Sequence, residues 1–400
     1  MLNKKYFPLL IFIAVFPVYL FLNADNIKSD SYDDYPFGAD VPRYTAIFKY
    51  DKINSGKIAT RHSVPVYINI FYKNLFPSFE DKIGKNLFMK FPYAFFGALT
   101  VTVAFYLSKL ILETPSHRLA FTLIYAFSGA ILYFSSVPES YIITTFFTAL
   151  YIYTFLKYKD SLSWKSISLL ILWYVLSVLS EVLTVSLIII PAIYFAKDIF
   201  KNNKKRLSLL FFFTLSVFLA YILLNYVMRT ISGDTLIAYY ISFKEGNESI
   251  PLLSVFKEIG EVGLNFFFFS IGYPSYAVTH PLSWDPSYIG FFKPTLWEYF
   301  KIKTATVFIL FYSLFFISFI KQAKRKTLLT LSFMGYILIR LIGILFFNPW
   351  ESYLYVTPAV LPLLVILMEN INDYPKKTAG YFLYLFLLVL MVNNLLFFLI

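Results

Sequence analysis

Six aspartates, Asp25, Asp30, Asp33, Asp34, Asp40 and Asp51, crowd the stretch behind the first apolar segment of the chain. A carboxylate held within hydrogen-bond reach of a hydroxyl can take its proton as that hydroxyl attacks. Asp40 stands out by its neighbours. In "GADVPRYTAIFKY" the residues Val41, Tyr44, Ile47 and Phe48 recur at helical spacing, and Asp40 precedes Pro42, which suits a first helical turn. The expected element is an amphipathic helix lying on a membrane, with a carboxylate at its start. For each aspartate singly, the alternative is a plain solvated acidic loop.

Arg340 is the second residue with chemical promise. It lies within "LSFMGYILIRLIGILFF", about two turns from one end of an apolar run. A charge at that depth costs roughly 2.5–3.5 kcal/mol on insertion scales and needs a partner. That partner is either structural, such as Glu181, Glu139 or Glu351, or a phosphate, which a guanidinium fork grips with two bonds. Glu139 in "SSVPESY", Glu181 in "VLSEVLT" and Glu351 in "NPWESYLY" all fall at ends of apolar runs, beside prolines such as Pro138, Pro349, Pro358 and Pro362 that can break helices. Together they suggest a polar-walled cavity opening outward. The segment "SIGYPSYAVTHPLSWDPSYIGFFKP" adds His280, Trp284 and Asp285 among many aromatic rings, which suit sugar faces or headgroups, or form an interfacial belt. Arg61 and His62 lie in the same loop as Asp40; as a basic pair in a loop they are expected to be solvated.

The elements that must position these groups are membrane helices. Of 400 residues, 58% are hydrophobic and only 14% charged, about half the charged share of a soluble domain. Runs such as "FFFTLSVFLAYILLNYV" are too numerous for one soluble core. Apolar segments near 6–22, 91–112, 119–135, 140–156, 166–180, 182–196, 207–228, 304–320, 327–347, 353–368 and 379–399 predict an all-α polytopic membrane protein with about 11 crossings. The whole chain, 1–400, reads as one transmembrane domain. It carries two large loops, 23–90, acidic and bearing short amphipathic helices, and 229–303, aromatic. Residues 166–196 are too long for one span, so a tight helical pair turning at Ser180–Glu181 is expected. Residues 262–278 look like a span, but the parity of the flanks requires a re-entrant or interfacial element.

Charge sets the expected orientation. Lys4, Lys5, Arg118, Lys157, Lys159, Lys165, Lys197, Lys201, Lys204, Lys205, Arg206, Lys321, Lys324, Arg325, Lys326, Lys376 and Lys377 all fall in alternate connections. The opposite short connections hold no Lys or Arg, and each holds a glutamate. This predicts a cytoplasmic N-terminus, with the acids, Glu139, Glu181, Glu351 and both large loops on the exterior face. It also explains the net charge of +12 without nucleic acid. The chain has no cysteine, which excludes disulfides and thiolate sites, and its three histidines are scattered, so no zinc site is expected. No Gly-rich nucleotide loop occurs. Carboxylates could hold Mg²⁺ or Mn²⁺, but no ligand set is defined and no cofactor is expected.

The pattern resembles the GT-C glycosyltransferases, membrane enzymes that use polyprenyl-phosphate-linked sugars. The similarity rests on the first helix with its acidic exterior loop, on "DVPRYTAIFKYDKINSGKIATRHSVPVYINIFY", on the proline–acid–tyrosine start of "SSVPESYIITTFFTALYIY", and on "NPWESYLYVTPAVLPLLVIL". The resemblance implies transfer of a hexosyl or pentosyl group from a polyprenyl phosphate to a lipid, glycan or protein acceptor at the exterior face. It places the general base in the first loop, at Asp40 with Asp34 and Asp33 behind it, and implies inversion by a single displacement. The chain departs from the commoner "DE" pair of that loop. It also ends on a helix where many members carry a further soluble domain. Arg340, Arg61 and Arg43 are the candidate phosphate-binding residues. Glu139, Glu181, Glu351, His280, Asp285 and Trp284 are candidates for lining the cavity. A prokaryotic cytoplasmic membrane is the expected location. The alternatives are an O-antigen-type polymerase or ligase, and a lipid or solute transporter. Crowding of acids in the first loop favours the transferase over the former, and the lack of two similar halves disfavours the latter.

Overall fold

The computed structural model of the protein describes residues 6–22, 62–196, 198, 203–232, 235, 259–260, 262–263, 265–272, 279–282, 285–292, 302–325, 327–347 and 349–399. It is a helical bundle. The elements are α1 (Phe7–Phe21), α2 (Ser63–Leu75), α3 (Phe79–Ile83), α4 (Lys85–Ile111), α5 (Pro115–Phe127), α6 (Gly129–Ser136), α7 (Tyr141–Tyr158), α8 (Trp164–Ser180), a 3-10 helix (Val182–Ile188) running into α9 (Ile189–Tyr194), and α10 (Asn203–Ser232). After a π-helical turn (Asn265–Phe269) and an antiparallel hairpin of β1 (Thr279–Leu282) and β2 (Asp285–Phe292) come α11 (Ile302–Arg325) and α12 (Leu328–Phe347). A second 3-10 helix (Pro349–Val356) leads into α13 (Thr357–Met368), a 3-10 turn (Ile371–Asp373) and α14 (Lys376–Leu399).

Apolar helical elements occupy each of the eleven apolar segments of the sequence. Among the described residues six are long and apolar enough to cross a membrane, and α5 with α6 makes a seventh if that bent pair is one span. α1, α8 and the stretch Val182–Tyr194 are shorter apolar helices. The outer faces are hydrocarbon: Leu207, Phe218 and Tyr226 on α10, Phe316 on α11, Leu338 on α12 and Leu388 on α14 are all exposed. In water such a surface would associate, but acyl chains are a matching solvent for it. The protein is an integral membrane protein. α13 is its axis, with every residue from Thr357 to Met368 buried. Pro358 sits in its first turn, where the missing N–H costs nothing, and Pro362 leaves it helical rather than breaking it.

Helix ends show how this sequence avoids orphaned backbone groups. Lys90, buried within α4, donates to the carbonyl of Leu22 at 2.9 Å and so closes the end of α1. This is why α4 begins at Lys85, six residues before the expected span: the charge is used inside the helix instead of ending it. Phe12 packs on Phe95 and Phe16 on Phe91, holding the same two helices together. Ser163 and Ser166 form a reciprocal capping box that starts α8. α5 and α6 meet at a bend of 58°. Ser128 is extended there, and at Gly129 a Cβ would lie 2.8 Å from the carbonyl of Phe269, so the π turn packs directly on the bend. Asn394 of α14, fully buried, donates to the carbonyls of Phe127 (2.6 Å) and Ile271 (2.9 Å). The expected re-entrant segment therefore contains no spanning helix among its described residues. Its core, 265–272, is instead held between α5–α6, α11 and α14, with Phe268 packed on Phe308 and Tyr312.

Asn394→Leu leaves those two buried carbonyls without a donor. Thermal unfolding of the purified protein in detergent is expected to show a loss of about 1–3 kcal/mol. A wild-type melting curve would mean that the bend does not depend on this side chain.

Candidate functional site

Glu181 interrupts the expected helical pair at the expected place. Its extended backbone (φ −160°, ψ 119°) ends α8, and the 3-10 helix starts at the next residue. α9 then returns toward the start of α8, because Tyr194 reaches Asp160 (3.1 Å) and Lys159 (3.3 Å) in the connection before it. The break directs the Glu181 carboxylate at Arg340 of α12. Arg340 Nη2 lies 2.5 Å from Glu181 Oε1, with the side chains 0% and 2% exposed. Arg340 Nε donates to the carbonyl of Tyr355 at 2.8 Å. One guanidinium thus ties the α8 break, α12 and the second 3-10 helix.

The same end of the bundle receives the returning first loop. His62 Nδ1 lies 2.8 Å from the carbonyl of Ser180, and Ser63 Oγ donates to the carbonyl of Leu179 at 2.8 Å. These are last-turn carbonyls of α8, which have no helical partner of their own. His62 Nδ1 is also 3.2 Å from Ser140 Oγ. Ser140 donates through its backbone N–H (2.7 Å) and its hydroxyl (3.1 Å) to Glu139, a fully buried carboxylate just before α7. The ring of Tyr141 stands edge-on to both His62 (5.4 Å) and Tyr355 (5.5 Å). A closed circuit results, from His62 to Ser180–Glu181, to Arg340, to Tyr355, to Tyr141 and back to His62. It joins five stretches of chain far apart in sequence.

The circuit is not saturated. Glu181 Oε2, Arg340 Nη1 and Ser352 Oγ are buried without a hydrogen-bond partner among the described residues. Tyr336, one turn before Arg340 on α12, lies beside both charges. A buried polar atom left unpaired costs about 1–3 kcal/mol, so these atoms mark where a polar guest would be stabilised.

Of the residues singled out in sequence, Glu139, Glu181 and Arg340 are brought to one end of the bundle, and Glu351 belongs to the 3-10 helix that also carries Ser352 and Tyr355. His280 lies on β1 and Asp285 on β2, in a hairpin that pairs Leu282 with Asp285. Asp33, Asp34, Asp40, Arg43, Arg61 and Trp284, and the expected amphipathic helix at 40–48, lie outside the described residues. His62 is a correction: it is buried, not solvated, because it closes the end of α8. Tyr141, Tyr336 and Tyr355 were also missed as members of this group. The available signal was the apolar run ending at a lone Glu181, whose freed carbonyls needed donors from elsewhere.

Glu181→Gln leaves Arg340 buried without a counter-charge and is expected to cost about 3–5 kcal/mol of stability in detergent unfolding. Replacing both, Glu181→Leu with Arg340→Met, should recover most of that loss. A double variant less stable than the single one would show that the two charges are not coupled.

No family model matches the sequence, and no curated protein matches it. Solved structures do. ArnT from Cupriavidus metallidurans in the apo state aligns with a TM-score of 0.50 at 12% identity, over 95% of this chain. ArnT from the same organism bound to undecaprenyl phosphate aligns with a TM-score of 0.50 at 12% identity, over 94% of this chain. The alignments cover 62% of the ArnT chain, so this chain spans under two thirds of its neighbour's length. At this identity the likeness speaks of architecture, and the architecture runs through nearly all of the present chain. The present chain shares the polytopic helical architecture of these ArnT structures.

Proposed function

We propose that this chain is a membrane glycosyltransferase that moves a sugar from a polyprenyl-phosphate carrier to an acceptor. The observation that carries this reading is the fold likeness over 94% of the chain to ArnT bound to undecaprenyl phosphate. The arrangement of charge supports it. The end of the bundle that holds Glu139, Glu181 and Arg340 is also where the acidic first loop rejoins the core at His62.

In the proposed reaction the acceptor hydroxyl attacks the anomeric carbon and gives its proton to Asp40, with Asp34 and Asp33 beside it in sequence. The bond from the anomeric carbon to the phosphate oxygen breaks, and a polyprenyl phosphate monoester leaves. One displacement from one face inverts the anomeric centre. The growing phosphate charge is met by Arg43, Arg61 and the unpartnered Nη1 of Arg340. Fixed donors in a site poor in water stabilise such charge without reorganising. Glu181 keeps Arg340 charged and oriented, because it occupies the other edge of the guanidinium. Glu351, His280, Trp284 and Asp285 are proposed to line the acceptor side. The site faces the exterior of a prokaryotic cytoplasmic membrane, following the charge bias of the short connections.

The test is an assay of purified protein in lipid nanodiscs with undecaprenyl-phosphate-linked hexoses and pentoses. Asp40→Asn is expected to leave folding unchanged and cut transfer by about 10²–10⁴-fold. Transfer at the wild-type rate would remove Asp40 as base, and no transfer from any such donor by the wild-type protein would reject the reading. Arg340→Lys keeps a charge beside Glu181 but loses the fork. It should raise the donor KM about tenfold while leaving the acceptor KM unchanged. Equal changes in the two would take Arg340 out of the donor site.

A further inference from the structure

The opposite end of the bundle holds a cleft that the transferase reading does not use. It is a small, open groove between the last turns of α11, the end of α13 and the first turns of α14. Leu314 and Ile317 line one wall, Phe382 and Leu383 the other, and Leu367 the back. Its polar floor is committed internally. Asn370 Nδ2 donates to the carbonyl and the hydroxyl of Ser318 (3.0 and 2.9 Å), and Ser318 Oγ donates to the carbonyl of Ile366 at 2.9 Å. The cleft therefore offers hydrocarbon to a guest.

Its mouth offers positive charge. Lys321 Nζ and Arg325 Nη1 lie 3.1 and 2.9 Å from the same oxygen of Asp373, so two cations share one carboxylate. Lys321 also stands over the ring of Tyr374, which lines the cleft. Lys376 has only a 3.9 Å contact with the exposed Glu113, and Lys324 and Lys377 are exposed at the same end. The order along the membrane normal is also suitable. Leu314 precedes Lys321 by two helical turns on α11, and Leu383 follows Lys376 by two turns on α14, each about 10 Å by helix rise. Charge lies at headgroup level and hydrocarbon beneath it on both walls.

We infer that this cleft binds an anionic phospholipid from the leaflet it faces. The phosphate sits among Lys321, Arg325 and Lys376, and one acyl chain lies along Leu314, Ile317, Phe382 and Leu383. The excess of cations over carboxylates at the mouth selects against zwitterionic lipids, because each Lys or Arg adds attraction only for a net negative headgroup.

The experiment is native mass spectrometry of the full-length protein in detergent, titrated with phosphatidylglycerol and phosphatidylcholine of identical acyl chains. Phosphatidylglycerol is expected to bind at least about tenfold more tightly. Lys321→Ala combined with Arg325→Ala should reduce it to the phosphatidylcholine level. Leu383→Trp, which fills the cleft and leaves the charge alone, should weaken phosphatidylglycerol to a similar degree. Millimolar inorganic phosphate should not displace the lipid. Equal affinity of the wild-type protein for the two lipids overturns the inference, as does unaltered binding by Leu383→Trp or displacement by inorganic phosphate. The two variants damage the cleft in different ways, and the comparison of lipids on the wild-type protein needs neither.

Discussion

A guanidinium and a carboxylate, closed off from water 2.5 Å apart, organise one end of this membrane bundle. Neither charge is tolerable alone at that depth, so Arg340 and Glu181 must meet, and the backbone is arranged to let them. α8 stops at Ser180 so that Glu181 can turn toward α12. The freed carbonyls of α8 are then met by His62 and Ser63, which fixes the place where the first loop re-enters the core. The carbonyl of Tyr355 takes a further edge of Arg340 and fixes the second 3-10 helix. One electrostatic requirement thus determines the relative positions of three chain segments that carry candidate functional residues.

The two ends of the bundle use charge differently. At the Arg340 end charge is buried and paired, with orphaned atoms left on Glu181, Arg340 and Ser352. At the other end Lys321, Arg325, Lys376 and Asp373 are at least partly exposed, and single cations lie over tyrosine rings, as Lys159 does over Tyr194. Buried pairs orient and specify, whereas exposed cations chiefly set topology and attract anionic surface. The contrast is consistent with chemistry at the first end and lipid contact at the second.

Much of the helical frame was legible because hydrocarbon length is a simple constraint: a run of apolar residues must find lipid or core, and each of the eleven runs is helical. The break at Ser180–Glu181 was legible from length and the parity of flanking charge. Other features depended on partners distant in sequence. The start of α4 at Lys85 could not be read, because Lys90 is tolerated only through the carbonyl of Leu22. The bend at Ser128 needs the π turn at Gly129 and the amide of Asn394. His62 reads as a solvated loop residue until the end of α8 is known to need a donor. Arg340 announced itself by its cost, and sequence narrowed its partner to three glutamates or a phosphate. Geometry selected Glu181 and left one nitrogen, Nη1, over.

The central claim is that a lipid phosphate is handled at the end of the bundle where Arg340 and Glu181 meet. A photoreactive polyprenyl phosphate, cross-linked to the protein in nanodiscs and mapped by peptide mass spectrometry, tests it most directly. Labelling is expected on peptides spanning 139–141, 180–188 and 349–356, and it should fall when unlabelled undecaprenyl phosphate competes. Labelling confined to the α11–α14 end, or unaffected by the competitor, would contradict the claim.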